Sequence, residues 1–180
     1  MKSLDGSADT PLVSVIVPTY NRPDTLLESL RSIQNQTYPC IEIVVVNDGG
    51  MEIEDVLSRS GPEKNIIYIK HGANRGQAAA RNSGIESARG KYIAYLDDDD
   101  LYYPEHIEIL VSFLKSNDYR IAYTDAYRTH QVISKGKYVV SKRDVPYSFD
   151  FDPDRILINN YMPVLCIMHE KSCVDRAGRF

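Results

Sequence analysis

Four consecutive aspartates, Asp97, Asp98, Asp99 and Asp100, follow the apolar run from Tyr92 to Leu96 and precede Pro104. An apolar run of that length reads as a buried strand, which delivers all four carboxylates to one strand end. Two unit charges about 4 Å apart repel by ~1 kcal/mol in water and ~4 kcal/mol at an effective dielectric of 20. Clustered carboxylates therefore favour a cation, a proton or strong hydration. All-oxygen ligands suit Mg2+ or Mn2+, and Mg2+ sites typically combine one or two carboxylates with substrate phosphates. The competing reading is a solvated acidic turn, and the elements around the run weigh between the two.

Those elements alternate. Val13 to Val17 is a β-branched run ended by Pro18, and Asn21-Arg22-Pro23-Asp24 reads as a helix start, with proline in the first turn and Asp at the positive dipole end. Leu26, Leu27, Leu30 and Ile33 carry the helical period. Ile41 to Val46 is a near-continuous apolar strand closed by Asn47-Asp48-Gly49-Gly50. A short helix over 51–60 and a strand over 65–70 follow, then a loop over 71–76 and a small-residue helix over 77–89. The spacing next predicts a strand over 91–96, a helix over 104–116 and a strand over 120–124. Residues 125–151 read as hairpin or loop, 163–168 as a strand and 170–177 as a helix.

Apolar strands alternating with helices indicate an α/β fold, a mainly parallel, Rossmann-like sheet with helices on both faces. Right-handed crossovers put the loops after the strands on one edge, where such sheets bind ligands. Thr19 to Arg22, Asn47-Asp48, Asn74 to Gly76 and Asp97 to Asp100 are thus expected along one rim.

Composition excludes several classes. A net charge of −4, with no run of Lys or Arg longer than two, leaves no nucleic-acid footprint. No stretch approaches the ~20 apolar residues that cross a bilayer. The three cysteines, Cys40, Cys166 and Cys173, form no CxxC pair and are expected as reduced thiols. Residues 1–11 are polar and read as a flexible lead-in, with the domain occupying 12–180. Around Gly84 to Tyr92, five residues separate the glycines and a tyrosine follows Gly90-Lys91, so a P-loop fails. A calcium loop beginning at Asp97 fails because Leu101 and Tyr102 stand where a ligand and a glycine are required.

The ordered series Val13 to Arg22, Ser32 to Tyr38, Ile43 to Gly49, Asn74-Arg75-Gly76, Ala80 to Gly84 and Leu96 to Asp100 resembles the family 2, GT-A type of nucleotide-sugar-dependent glycosyltransferase over residues 12–180. The resemblance implies the GT-A fold and a metal-assisted, inverting transfer from a nucleoside-diphosphate sugar, UDP-linked, to a hydroxyl of a glycan or lipid-linked saccharide. It implies Mn2+ or Mg2+ as cofactor and a cytoplasmic location, including the inner face of the membrane.

By this resemblance Pro18, Thr19, Tyr20 and Asn21 line the base and ribose pocket, with Tyr20 packing on the base. Asp48 accepts the base N–H, while Arg75 and Arg81 contact the base or diphosphate, an ion pair being the competing role of Arg81. Asp97 and Asp98 lie near ribose and phosphate, and Asp99 is the metal ligand. Asp100 is expected to cap the helix after Pro104, and Asn82 and Gly84 to pack or cap. Tyr127, His130, Tyr138, Tyr147 and Tyr161 are either a sugar platform or half-buried loop residues.

In the family the general base is an acid of a Glu-Asp pair beyond a Gly-x-Phe-Asp-Glu stretch. Asp175 to Phe180 resembles the start of that stretch, so the base is expected beyond Phe180 and the domain is expected to be truncated. Asp125 and Asp175 are the nearby substitutes. A non-catalytic nucleotide-sugar binding module is the alternative function. A nucleotidyltransferase is disfavoured because Pro18 to Arg22 lacks the glycine-rich, basic loop that holds a triphosphate.

Overall fold

The structure is a computed structural model that describes residues 10–61, 65–134 and 137–180. Of the lead-in, residues 1–9 lie outside the described residues, whereas Pro11 is buried and its carbonyl accepts the Tyr38 hydroxyl at 2.6 Å.

The elements in order are β1 (Val13–Thr19), α1 (Pro23–Gln34), β2 (Ile41–Asn47), α2 (Glu54–Ser60), β3 (Ile66–Lys70), α3 (Gln77–Ser87), β4 (Tyr92–Tyr95), α4 (His106–Ser116), β5 (Ile121–Tyr123), β6 (Ala126–Ser134), β7 (Lys137–Tyr147), α5 (Pro153–Ile158), a 3-10 turn (Val164–Cys166), β8 (Ile167–Glu170) and α6 (Ser172–Ala177). Six strands form one sheet in the order β3-β2-β1-β4-β8-β5, and β6 pairs with β7 separately. β1, β2, β3 and β4 are parallel, and β8 runs antiparallel between β4 and β5.

Alternation along β1 fills two cores. Val13, Val15 and Val17 face Leu26, Leu30, Leu110 and Leu114 of α1 and α4, whereas Ile16 faces Ala80 and Ile85 of α3. The small residues of α3 permit close approach. A Cβ at Gly84 would lie 2.5 Å from Ile16 Cγ2.

Three element readings are corrected. Pro18 does not end β1, which continues to Thr19. Past Ile16 the β1–β4 ladder has ended, so the missing N–H of Pro18 faces a side with no strand partner. The strand read over 163–168 is the 3-10 turn followed by β8, displaced toward Glu170. Finally, α5 falls in a stretch read without structure. Asp152 caps it, accepting from the amides of Asp154 and Arg155 at 2.9 and 3.0 Å.

Candidate functional site

The loops after β1, β2, β3 and β4 meet along one edge, as expected for parallel strands, and hydrogen bonds join them in pairs. Asn21, between β1 and α1, accepts the Met51 amide on Oδ1 at 2.8 Å. Its φ of +57° is a left-handed conformation that Asn tolerates better than most residues. Tyr20 beside it is 46% exposed on the rim, while Pro18 is buried in the strand.

The four aspartates divide their work. Asp98 turns inward and is 6% exposed. Its carboxylate accepts the Thr19 hydroxyl at 2.8 Å and pairs with Arg22 Nη1 at 3.2 Å. Burial raises its pKa despite those partners. Asp97 faces α3, where Oδ1 accepts Gln77 Nε2 at 3.0 Å and Arg81 Nη2 at 2.8 Å. Asp99 points outward and meets Arg22 Nη1 at 2.6 Å.

Asp100 corrects the sequence expectation. The residue before α4 is Glu105, whose side chain makes no capping bond, and it is Gln36 Oε1 that accepts the Ile107 amide of the first turn at 3.0 Å. Asp100 instead sits half-buried behind its neighbours, its backbone carbonyl accepting Ser29 Oγ at 2.7 Å. Burial first, then the charges of Asp99, Asp97 and Asp98, push its carboxyl up to about 6.

The acidic loop is the candidate place for a divalent ion. Among the described residues no group of three or more His, Cys, Asp and Glu is arranged to hold one. Asp99 and Asp100 nevertheless offer hard oxygen donors whose mutual repulsion a cation would relieve. They therefore fit the class in which one or two carboxylates share the ion with phosphates.

Asp48, directly after β2, is 4% exposed. Oδ1 faces His71 Nδ1 at 2.6 Å and accepts the Arg75 amide at 3.0 Å, and Oδ2 accepts the Gly76 amide at 2.7 Å. Burial raises its carboxyl, but the hydrogen bonds from His71, Arg75 and Gly76 outweigh that and hold it below the usual value. The Arg75 side chain is exposed, and no hydrogen bond or ion pair of its guanidinium is recorded among the described residues. Arg81 takes the competing role of an ion pair with Asp97 and is mostly buried, with its Nε unpartnered.

The remaining expectations separate. Asn82 Nδ2 donates to the Phe180 carbonyl at 2.9 Å, and Gly84 packs on β1. Asp125 lies after β5 on this rim side and accepts the Ser148 hydroxyl at 2.7 Å. Asp175 belongs to α6, which follows β8 where that strand leaves the opposite edge beside Tyr92. Tyr161 is buried and hydrogen-bonded to Asp152, which removes it from any sugar platform. His130 pairs with Asp144, Tyr127 packs edge-on against Tyr103, and the Tyr138 side chain lies outside the described residues. The three cysteines are free thiols. Sequence reading passed over His71 and Arg22 as partners of the rim acids, because both act through contacts distant in the chain.

Solved structures of low sequence identity share this fold. The Pyrobaculum calidifontis mannosyltransferase PcManGT, solved in complex with GDP-Man and Mn2+, superposes with a TM-score of 0.69 at 20% identity, covering 94% of this chain and 47% of that one. TarS of S. aureus in complex with UDP-GlcNAc gives a TM-score of 0.67 at 20% identity, covering 92% and 47%. The architecture is the GT-A arrangement. Among curated sequences, an uncharacterized glycosyltransferase of Rickettsia conorii is 39% identical over 145 residues, 80% of this chain and 23% of the relative. The uncharacterized glycosyltransferase YwdF of Bacillus subtilis is 35% identical over 169 residues, 93% of this chain and 61% of the relative. The chain thus spans less than two thirds of the length of either relative. The glycosyl transferase family 2 model matches residues 14–173, and the chain belongs to that family.

Proposed function

We propose that this chain forms the donor-binding part of an inverting glycosyltransferase that uses a UDP-linked sugar and a saccharide or lipid-linked hydroxyl acceptor. The carrying observation is the pair Asp99 and Asp100 at the rim, where Asp100 is held up to about 6 by burial and by its acidic neighbours. Asp99 and Asp100 would hold Mn2+ or Mg2+, and the bound ion would offset charge developing on the leaving diphosphate.

The chain's own residues prepare the rest of the donor pocket. Of the roughly four acceptor positions of the Asp48 carboxylate, His71, Arg75 and Gly76 occupy three. One remains for a base N–H, and a hydrogen bond to a charged group is worth ~1.5–3 kcal/mol. Tyr20 offers an exposed ring to the base, and Arg75 offers an exposed guanidinium to the diphosphate. Pro18, Thr19 and Asn21 act from behind, through the β1 backbone and the loop contacts. Asp97 and Asp98 fix Arg81 and Arg22 around the phosphate side.

Thermal unfolding with UDP, GDP, CDP and dTDP, each with and without Mn2+, tests the reading. A ligand at 100 times its dissociation constant stabilises by ~2.7 kcal/mol, a rise of several degrees for a domain this size. The expected result is a Mn2+-dependent rise with UDP that Asp99→Ala abolishes. No rise with any nucleotide would refute it.

A further inference from the structure

Behind the rim, three side chains from three elements form a continuous hydrogen-bonded line. His71, one residue past β3, is 7% exposed. Its Nδ1 lies 2.6 Å from Asp48 Oδ1, and its Nε2 lies 2.9 Å from Ser83 Oγ in α3. Its own amide donates to the Asn47 carbonyl at 2.9 Å, extending the β2–β3 ladder by one residue.

The chemistry orients the line. An ionised carboxylate only accepts, so Nδ1 carries the proton toward Asp48. In the neutral ring Nε2 is then an acceptor, and the Ser83 hydroxyl donates to it. Asp48 in turn holds the amides of Arg75 and Gly76. The backbone is closed from the other side as well. Gly49 has φ +75°, and a Cβ there would lie 2.4 Å from the Ala73 carbonyl carbon. The 71–76 loop is therefore seated against the 47–50 turn, and its exposed residues include Arg75, the loop's one exposed cation.

We infer that His71 is a positioning residue of the donor site: through Asp48 it sets the backbone of Arg75 and Gly76, and so places the Arg75 guanidinium to meet the anionic diphosphate of the donor. Ser83 fixes the ring, linking the loop to the helix that carries Arg81. This rests on the donor-site reading above and adds a residue that touches no ligand itself. The selectivity of the site for a diphosphate over an uncharged nucleoside then depends on a buried imidazole.

The test compares wild type, His71→Ala, His71→Asn, Ser83→Ala and Arg75→Ala, together with the His71→Ala/Arg75→Ala double variant. Affinities for UDP and for uridine are measured with Mn2+ present, alongside amide hydrogen exchange without nucleotide. Losing a hydrogen bond to a charged group corresponds to about a tenfold change in an equilibrium constant. His71→Ala is expected to weaken UDP by about that factor and uridine, whose base meets Asp48 but which lacks the diphosphate, by clearly less. It should also speed exchange at the Arg75 and Gly76 amides. His71→Asn, whose amide can donate to Asp48, should recover most of both. In the double variant the Arg75 effect should shrink, because coupled residues are not additive.

Additive effects, or unchanged exchange at Arg75 and Gly76 in a folded His71→Ala, would overturn the inference while UDP binding by wild type leaves the donor site standing. If His71→Ala does not fold, His71→Asn and Ser83→Ala still decide. Loss of UDP affinity in His71→Asn as severe as in Arg75→Ala, or Ser83→Ala with wild-type exchange at both amides, would contradict it. Absence of UDP binding by wild type, with Arg75 and Gly76 still protected, would instead sink the donor-site reading and this role with it.

Discussion

The Thr19 hydroxyl donates to Asp98 Oδ2 across 79 residues of sequence, at 2.8 Å, with both groups buried. This bond ties the end of β1 to the acidic loop and makes Asp98 a support of the rim rather than its outermost acid. Thr19→Val keeps the shape and removes the donor, leaving a buried carboxylate with Arg22 as its remaining side-chain partner. The expected cost is about 1.5–3 kcal/mol, seen as a lower urea midpoint with an unchanged slope. An unchanged midpoint would show that Thr19 does not support Asp98.

Asp100 contributes a pH dependence that its own substitution isolates. Its folded value, pushed up to about 6, lies above the usual 3.8. Between those values the folded chain binds this proton more tightly than the unfolded chain, so Asp100's contribution to stability is lost as pH rises from about 4 to about 6, while His106, lowered by burial to about 4, contributes in the opposite sense. Discounted for its partial exposure, the loss is about 1–2 kcal/mol. Asp100→Asn should flatten that limb and raise the melting temperature at pH 7 in the absence of metal. Mn2+ should stabilise wild type more at pH 7 than at pH 5. Equal stabilisation by Mn2+ at the two pH values would contradict the assignment.

Glu42 is fully buried in β2 and accepts Ser14 Oγ at 2.5 Å, the Arg89 amide at 2.6 Å and Arg89 Nε at 2.8 Å. Arg89→Ala leaves that carboxylate with Ser14 and the residue-89 amide but without its counter-charge, and because the Arg89 side chain is 59% exposed the expected cost is that of a charged hydrogen bond, about 1.5–3 kcal/mol. Chemical denaturation should show the loss, and UDP affinity should not change, because Glu42 serves the sheet and not the rim. A loss of UDP affinity without a loss of stability would reverse that assignment.

Gly84→Ala sets two effects against each other. Alanine is better by about 1 kcal/mol in a helix interior. The added Cβ, however, would sit 2.5 Å from Ile16 Cγ2 at the centre of the α3 face. Overpacking of this kind costs about 1–3 kcal/mol, so a net destabilisation is expected, at about 2–4 °C per kcal/mol in a scanning experiment. A higher melting temperature would mean that α3 can move off β1 freely.

The positions of the rim loops were legible because parallel strands place their following turns on one edge, whatever the details of packing. Asp48 and the run from Asp97 to Asp100 stand at strand ends by the same rule. The division of labour among the four aspartates was not legible, since Thr19, Arg22 and Arg81 choose between them from far away in the chain. Asp100 was expected at a helix start, yet its environment depends on how three like charges fold around it. Glu42 escaped notice inside an apolar run because its partners Ser14 and Arg89 lie in neighbouring elements. The antiparallel insertion of β8 depends on which strands adjoin β4, and periodicity carries no information about that. The Asp152-Pro153 start of α5 was a readable cap signal that was passed over.

We propose that the rim binds a nucleoside diphosphate together with a divalent ion. Calorimetric titration of UDP into the chain, once with Mn2+ and once with EDTA, measures it most directly. Saturable binding is expected with Mn2+, weakening at least tenfold, ~1.4 kcal/mol, in EDTA and in Asp99→Ala. Equal UDP affinity in Mn2+ and EDTA would contradict the role given to Asp99 and Asp100, and no binding in either would contradict the donor site itself.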